Sequence, residues 1–338
     1  MYPNDHPGRF QVTTAVAALT TVADIAAARK RLRGVALFTP VVSCGEDLSL
    51  KAENLQPIGS FKLRGAYNLI AQIPPAGRVR GVITYSSGNH AQGVAFAARA
   101  LGIPAVIVMP SDAPRVKVDA TQALGAEIVT VGPASEERRE RAEALAAEHG
   151  YTIVPPFDHP HIIAGQATCG AEILEQFPEV DLILAPVGGG GLLGGVAAAV
   201  KLTRPDVRVV GVEPELAADA SESFRSNQRV SWTSAQTSRT LADGLRSQQI
   251  GEHNLAHLRA YVDAIVTVSE DEILLAMAHI IRHAHLVAEP SGAVTTAAWL
   301  FHRDQLPPAR NPVAIVSGGN VDPAVLLQAL DPGSAAQN

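Results

Sequence analysis

The chain alternates short runs rich in Val and Ile with Ala-rich or amphipathic stretches along most of its 338 residues. Such apolar runs, each ending in turn residues, are typical of strands in a buried parallel sheet, and the stretches between them are typical of crossover helices. The sequence therefore predicts an α/β fold with mostly parallel sheets. The predicted strands are residues 81–85, 105–109, 127–131, 151–154, 181–185, 207–212, 264–268 and 313–316, and the predicted helices include residues 91–101, Ser135–His149, 164–177 and 270–285.

Length and composition narrow the class of protein. A chain of 338 residues suggests two globular units, at about 150 residues for each unit. The net charge of −6, without a long basic run, argues against a nucleic-acid partner. There are only two cysteines, and no uncharged apolar stretch reaches the roughly 20 residues of a membrane span. We expect a soluble, cytoplasmic protein with no signal peptide, disulfide scaffold or membrane partner.

Four consecutive glycines, residues 188–191, follow the predicted strand 181–185 and open an Ala-rich stretch. Consecutive glycines leave backbone N–H groups unobstructed, and a helix N-terminus adds positive partial charge, so this segment predicts a phosphate site. A tight turn alone would need only one glycine. Residues 189–194 also match the G-x-G-x-x-G pattern, and Glu213 follows about 20 residues later, which indicates an NAD site as an alternative.

A second motif places Lys62 between Phe61 and Leu63, where a helix begins. Partial desolvation by these apolar neighbours lowers the pKa of a lysine and makes its neutral amine available as a nucleophile and base. The alternative is a surface lysine whose aliphatic stem covers the core.

Two further polar segments follow predicted strands. Hydroxyls, an amide and free N–H groups at a helix N-terminus suit a carboxylate ligand, whereas a plain N-cap would explain only one such residue. Ligands of parallel sheets gather beyond the carboxyl ends of the strands, where all of these segments fall. The two segments are Ser86-Ser87-Gly88-Asn89-His90 and Ser317-Gly318-Gly319-Asn320.

Together, these motifs resemble those of the serine/threonine dehydratase and serine racemase family of fold type II pyridoxal-phosphate (PLP) enzymes, in the same order and spacing. The resemblance implies the tryptophan synthase β-like fold, with two three-layer αβα domains and the active site in the cleft between them. It also implies a large PLP-binding domain formed by residues 1–80 and 159–338 and a small domain formed by residues 81–158.

The resemblance assigns roles to individual residues. Lys62 would form the Schiff base with PLP and act as the catalytic base, and Ser87 would be the acid on the opposite face of the substrate. Residues 289–293 resemble a family segment near the cofactor, with an N-cap or a cleft role. The cofactor contacts are expected from Phe61, Asn89 (phenolic oxygen), Gly188, Gly189, Gly190, Gly191, Leu192 (phosphate) and Ser317 (pyridine nitrogen). The substrate contacts are expected from Ser86, Ser87, Asn89, His90 and Arg138.

A last match covers residues 213–219. In the family, a Glu, the backbone carbonyl of an Ala four residues later and an Asp two residues beyond bind a divalent cation, which implies a site at Glu213, Ala217 and Asp219. Two carboxylates and a carbonyl are hard oxygen ligands, suited to Mg²⁺ or Ca²⁺. The alternative is an acidic loop at a strand end.

The resemblance implies a PLP-dependent ammonia-lyase that converts L-threonine, L-serine or a related 3-hydroxy amino acid to the 2-keto acid and ammonia by β-elimination. A neutral hydroxyl such as that of Ser317 leaves the cofactor ring a weaker electron sink than a carboxylate partner would, which favours elimination. The alternatives are a serine (amino-acid) racemase, a dehydratase for 3-hydroxyaspartate, an NAD-dependent oxidoreductase and a catalytically silent amino-acid-binding regulator. We expect a homo-oligomer, either a dimer or a tetramer.

Overall fold

The computed structural model describes residues 18–86, 88–111, 113, 115–132 and 135–331, and within them ten strands alternate with fourteen α-helices. The strands are β1 Val41–Ser43, β2 Ser49–Ala52, β3 Val82–Tyr85, β4 Ala105–Pro110, β5 Glu127–Val131, β6 Thr152–Ile153, β7 Leu182–Pro186, β8 Arg208–Pro214, β9 Ala264–Val268 and β10 Pro312–Val316. The helices are α1 Val22–Leu32, α2 Lys62–Ile70, α3 Pro75–Arg80, α4 Asn89–Leu101, α5 Arg115–Ala123, α6 Ser135–His149, α7 Pro160–Gln176, α8 Gly191–Thr203, α9 Asp219–Ser226, α10 Ser234–Thr237, α11 Glu252–Tyr261, α12 Glu270–Ala284, α13 Pro290–Phe301 and α14 Pro323–Leu330.

The larger sheet has six strands in the order β1-β2-β10-β7-β8-β9. All neighbours are parallel except β1 and β2, which are antiparallel at one edge. Successive side chains of a strand point to opposite faces, so Leu182 and Leu184 of β7 pack with α12 and α13, whereas Ile183 and Ala185 pack with α7 and α8. Helices therefore cover both faces of this sheet.

The smaller sheet has four parallel strands in the order β5-β4-β3-β6. Val82 and Ile107 pack with α2 and α4 on one face, and Ile83 and Val106 pack with α6 on the other. Each sheet is thus the middle layer of an αβα sandwich. The α/β fold with mostly parallel sheets is confirmed, and helix α2 packs against both α4 and α7, between the two units. The domain boundaries at residues 80 and 158 stay a prediction.

Helix α12 shows how the sequence specifies a helix of this fold. Ser269 Oγ accepts from the Glu272 N–H, and Glu272 Oε2 accepts from the Ser269 N–H, so two N-terminal donors are satisfied reciprocally. The buried residues Ile273, Met277 and Ile280 recur at helical spacing and face the core of the larger sheet.

The segments predicted to bind ligands all lie at the carboxyl ends of parallel strands. The tetraglycine run follows β7, residues 317–320 follow β10 and residues 86–90 follow β3. No helix in the part of the chain that the structure describes is both long and apolar enough to cross a membrane.

Candidate active site

Lys62 is the first residue of α2 and follows a stretch that is fixed to the end of β10. Ser60 forms an isolated antiparallel bridge with Gly318, and the Phe61 N–H donates to the Ser317 carbonyl over 3.0 Å. The structure therefore brings the Lys62 motif and the segment 317–320 together, although some 250 positions of the chain separate them.

The Lys62 amine lies in a poorly hydrated position, and its side chain is only partly exposed. Its Nζ donates to the Pro156 carbonyl over 2.9 Å and lies 5.2 Å from the centroid of the Phe61 ring. Burial lowers the pKa of Lys62 to about 8, and Glu289 opposes this shift in its ionised form. Such a pKa leaves a usable fraction of neutral amine near neutral pH, which is the form that acts as nucleophile or base. Its role as the cofactor anchor stays a prediction.

Asn89 begins α4 and lies in a chain of hydrogen bonds between three loops. Its Nδ2 donates to Glu289 Oε1 over 2.6 Å, and its Oδ1 accepts from Asn320 Nδ2 over 2.8 Å. Asn320 Nδ2 also donates to the Ile58 carbonyl over 2.8 Å. Glu289 makes no side-chain capping bond to its own helix α13, so its contacts favour the cleft role over the N-cap role.

In the rest of the segment 86–90, the side chain of His90 bonds to the protein, whereas backbone N–H groups can bind a ligand. His90 is buried, and its Nε2 lies 3.0 Å from the Val154 carbonyl. Burial and the nearby Lys62 charge lower the pKa of His90 to about 3, so the ring is neutral and Nε2 carries the proton that the carbonyl accepts. The N–H groups of the first turn of α4 have no intrahelical partner, and those of residues 89–91 donate to no described residue, so they can bind a carboxylate. Ser86 Oγ accepts from the Gly88 N–H over 3.3 Å, and Ser87 lies outside the described residues.

The tetraglycine run forms the turn between β7 and α8. Gly190 has a left-handed φ of 93°, and a Cβ on Gly189 would overlap the Phe157 ring. The N–H groups of residues 188–190 donate no hydrogen bond within the described part of the chain, and α8 begins at Gly191. Free N–H donors and a positive helix end fit a phosphate group.

Residues 156–158 link the Lys62 amine to the glycine turn. Lys62 binds the Pro156 carbonyl, and the ring of the next residue, Phe157, packs on Gly189. On its other side, the turn is held by Asn254, whose Nδ2 donates to the Gly189 carbonyl over 2.6 Å. The sequence motifs do not identify these residues, because the hydrogen bonds of Pro156 and Asn254 span 94 and 65 positions. The proline pair after β6 is the one local signal that could have pointed to them.

We expect Gly190→Ala to weaken PLP binding about tenfold or more, because alanine in a left-handed conformation costs about 1–2 kcal/mol. Its Cβ would also lie 2.8 Å from the Asn254 Cβ, which forces the turn to shift. Titration of the apo-protein with PLP measures the affinity. Gly125→Ala is a matched control, because Gly125 has a similar φ of 88° in open space. Equal PLP affinity for the two variants would contradict the assignment of the turn.

Glu213 and Asp219 are both buried where β8 ends, and Ala217 is buried between them in the chain. The Glu213 carboxyl accepts from the N–H groups of Ala220 and Ser221 over 3.1 and 2.8 Å. Both Asp219 carboxyl oxygens are buried and lack a hydrogen-bond partner among the described residues. Burial and the charge of Asp219 raise the pKa of Glu213, and burial raises the pKa of Asp219 to about 7. In the described ranges, no group of three or more His, Cys, Asp or Glu side chains is placed to hold a metal.

Arg138 lies on α6 and is partly buried. This helix packs on the face of the smaller sheet opposite to α4, the helix that begins at Asn89. The contacts between described residues that join Lys62, Asn89 and the glycine turn do not include Arg138, and its role in substrate binding stays a prediction.

Comparison with known proteins agrees with this geometry. Residues 36–318 match the family described as pyridoxal-phosphate dependent enzyme. The L-threo-3-hydroxyaspartate ammonia-lyase of Saccharomyces cerevisiae is 40% identical over 309 residues, which cover 89% of this chain and 94% of that protein. The serine racemase of Schizosaccharomyces pombe is 39% identical over 311 residues, which cover 90% of this chain and 95% of that protein.

A solved structure, the threonine deaminase of T.th., matches with a TM-score of 0.84 and 42% sequence identity, covering 89% of this chain and 99% of that one. These findings confirm the predicted resemblance and the fold type II architecture, and they favour PLP over the NAD alternative. On its own, the glycine turn with its free N–H groups is compatible with either PLP or NAD. The family match and the similar proteins show that this chain belongs to the family of pyridoxal-phosphate dependent enzymes.

Proposed function

We propose that this chain is a PLP-dependent dehydratase that converts a 3-hydroxy amino acid, such as L-threonine or L-serine, to the 2-keto acid and ammonia. The proposal rests on the Lys62 amine. Its pKa is lowered, and it donates to the carbonyl of Pro156, whose neighbour Phe157 packs on the glycine turn. The names of the relatives, which are ammonia-lyases and a racemase, support the same class of activity.

The described residues fit the cofactor at both of its ends. The glycine turn presents free N–H donors to a phosphate, and the buried Ser317 offers a neutral hydroxyl whose bond to the Ser291 carbonyl is long, at 3.4 Å. When bound, PLP supplies an electron sink that stabilises the negative charge left at the Cα of an amino acid after loss of a proton. The residues that we propose to hold it are Phe61, Lys62, Asn89, Gly188, Gly189, Gly190, Gly191, Leu192 and Ser317.

The chain's own residues would then direct the chemistry. The Lys62 Nζ, once released from the cofactor, would take the Cα proton, because its lowered pKa makes the neutral amine accessible. The free N–H groups at the start of α4 would bind the substrate carboxylate and orient the Cα–H bond toward Lys62. The hydroxyl of Ser317 is a neutral partner, which favours loss of the β-hydroxyl over reactions that need a stronger electron sink. The β-hydroxyl would leave as water, so the Cα proton taken by Lys62 is balanced by one proton delivered to the leaving oxygen. Ser86 and Arg138 are proposed as further substrate contacts.

Incubation of the purified protein with L-threonine, L-serine and L-threo-3-hydroxyaspartate tests the activity. We expect 2-oxobutyrate, pyruvate or oxaloacetate, each with an equal amount of ammonia. Absence of keto acid from all three substrates would contradict the dehydratase proposal.

Racemisation is the second candidate, and the identity to the S. pombe serine racemase favours it. A racemase needs an acid on the face opposite Lys62, and Ser87 is the residue proposed for that position. Formation of D-serine from L-serine without pyruvate would support this candidate over the dehydratase.

We also propose a divalent cation, Mg²⁺ or Ca²⁺, between Glu213, the Ala217 carbonyl and Asp219. Its support is the pair of buried Asp219 oxygens that lack a partner among the described residues. Hard oxygen ligands of this kind suit either ion, with water completing the coordination.

The cation should stabilise the protein in a pH-dependent way. The pKa of Asp219 is raised to about 7, so without a cation its contribution to stability is lost as pH rises from about 4 to about 7. The pKa of Glu213 is also raised, so its contribution is lost in the same direction. A cation replaces the protons, so millimolar CaCl2 or MgCl2 added after EDTA treatment should raise the Tm at about pH 8 and have little effect at about pH 5. Scanning fluorimetry measures this, and Asp219→Asn should abolish the response. An Asp219→Asn variant with the full response would contradict the site.

We also propose that the protein forms a homo-oligomer, which light scattering can test.

We propose a cytoplasmic location. The location is supported by the two cysteines, Cys44 and Cys169, which are both buried and free, as expected in a reducing compartment. The two-domain division at residues 80 and 158 is supported by the strands of the smaller sheet, which all fall between residues 82 and 153.

A further inference from the structure

Glu289 is a buried acid at the cleft to which the proposed reaction assigns no function. Its side chain is 1% exposed, and it lies directly before α13 without capping that helix. Its backbone N–H donates to the Gly318 carbonyl over 3.0 Å, and its Oε1 accepts from Asn89 Nδ2 over 2.6 Å. A Cβ on Gly318 would overlap Oε1, so the carboxyl packs directly on the backbone of that glycine. Glu289 is therefore a fixed part of the wall beside Asn89.

Charged groups approach Glu289 from three other elements. They are Lys62 at the start of α2, Lys117 of α5 and Asp243, which begins a short helical turn before α11. Lys62 Nζ donates to the Pro156 carbonyl, and Lys117 pairs with Asp243, so each lysine has another partner. Glu289 itself forms no ion pair with any described residue.

The hydrogen bonds of Glu289 suit a carboxylic acid better than a carboxylate. Its Oε2 is buried and has no hydrogen-bond partner among the described residues, and Oε1 meets a single neutral donor. A buried carboxylate with so few donors is costly, whereas a protonated acid places less charge in the low-dielectric interior. Burial and the negative charge of Asp243 raise the pKa of Glu289 to about 8, against the opposing effects of Lys117, Asn89 and Lys62.

The hydrogen bonds of Asn89 indicate how the neutral acid Glu289 would act. Asn320 donates to Asn89 Oδ1, and Glu289 accepts one hydrogen from Asn89 Nδ2, so the amide cannot flip without losing both bonds. The second Nδ2 hydrogen remains for a ligand. We propose that Glu289 is a positioning residue that acts as a neutral acid and aims the second Nδ2 hydrogen of Asn89 at the phenolic oxygen of the cofactor ring. This inference rests on the PLP site proposed above.

The protonation state can be measured in the apo-protein, independently of activity. The infrared difference spectrum of wild type minus Glu289→Gln, at about pH 6.5, should contain one carboxylic-acid band, because the other buried carboxyls cancel. This band should disappear as pH rises through about 8, because the acid then ionises. A carboxylate band in place of the acid band at about pH 6.5 would overturn the inference.

The positioning role is tested by PLP affinity. Glu289→Gln keeps an acceptor for Asn89 Nδ2, so the Kd for PLP should stay within about threefold of wild type. Glu289→Leu removes that acceptor and leaves only the bond from Asn320 to hold the amide, so it should raise the Kd about tenfold or more. Glu179→Gln is the control, because Glu179 is exposed in the turn before β7, at the amino end of that strand and not at the carboxyl end where the site lies. The Tm of each apo-variant shows whether the leucine variant folds.

The outcomes separate the inference from the proposed function. A Gln variant that binds PLP as weakly as the Leu variant would show that the negative charge matters, and a folded Leu variant with wild-type affinity would show that Asn89 needs no support. Either result overturns the inference while PLP binding by the wild type upholds the cofactor site. Failure of the wild type itself to bind PLP would overturn both.

Discussion

Replacing Lys62 with alanine should lower the rate of keto-acid formation by about a thousandfold or more, because the variant loses both the proposed covalent anchor and the base that removes the Cα proton. The lowered pKa of Lys62 and its place beside the glycine turn make it the one lysine suited to both tasks on the described contacts. The rate is measured as 2-oxobutyrate released from L-threonine in the presence of saturating PLP.

The matched control for this experiment is Lys30→Ala. Lys30 is exposed on α1, and its replacement removes the same side chain at a residue that takes no part in the site contacts described above. The control should keep the wild-type rate and the absorbance band of the bound cofactor. A Lys62→Ala variant within tenfold of the wild-type rate would contradict the proposed role.

The second large effect concerns stability. Arg64→Leu should lower the free energy of unfolding by about 3–5 kcal/mol, because it leaves a buried carboxylate without its cation. The buried Arg64 guanidinium contacts both oxygens of Glu53 at 2.7 Å and those of Glu172 at 2.6 and 2.7 Å. Burial alone would raise the pKa of Glu53, but Arg64 holds it below its ordinary value. Lys51 pairs with Glu172 at 2.7 Å and cannot replace Arg64 at Glu53 without moving.

Urea unfolding of the apo-protein measures this effect, and Arg204→Leu is its control. Arg204 forms a similar ion pair with Asp206 at 2.7 Å, but on the surface, where solvent screens it. We expect little change in the free energy of unfolding for Arg204→Leu. Equal losses in the two variants would contradict the view that burial makes the Arg64 network important.

Local patterns were sufficient to predict most of the sheets. Every predicted strand is present with both ends within two residues of the prediction, for example β9 at Ala264–Val268. The short antiparallel pair β1 and β2 was missed, because neither segment forms a clear apolar run. Helix α7 begins at Pro160 and not at residue 164, because proline is favoured in the first turn and His159 Nδ1 accepts from the His161 N–H.

Side-chain partners in the candidate site were less predictable than its segments. The sequence motifs identified Lys62 and the glycine turn, because the residues that define each of these features are adjacent in the chain. The bond between Asn89 and Glu289 spans 200 positions, and the bond between Arg64 and Glu172 spans 108. Such pairs depend on how the two sheets are placed, and no periodicity in the sequence encodes that placement.

The role of Lys62 is tested by locating the cofactor on the chain. The purified protein is treated with borohydride in the presence of PLP, digested, and analysed by mass spectrometry for the pyridoxyl group. We expect the pyridoxyl group on the peptide that contains Lys62, at that residue. A pyridoxyl group on another lysine, or none on a folded protein, would contradict that role.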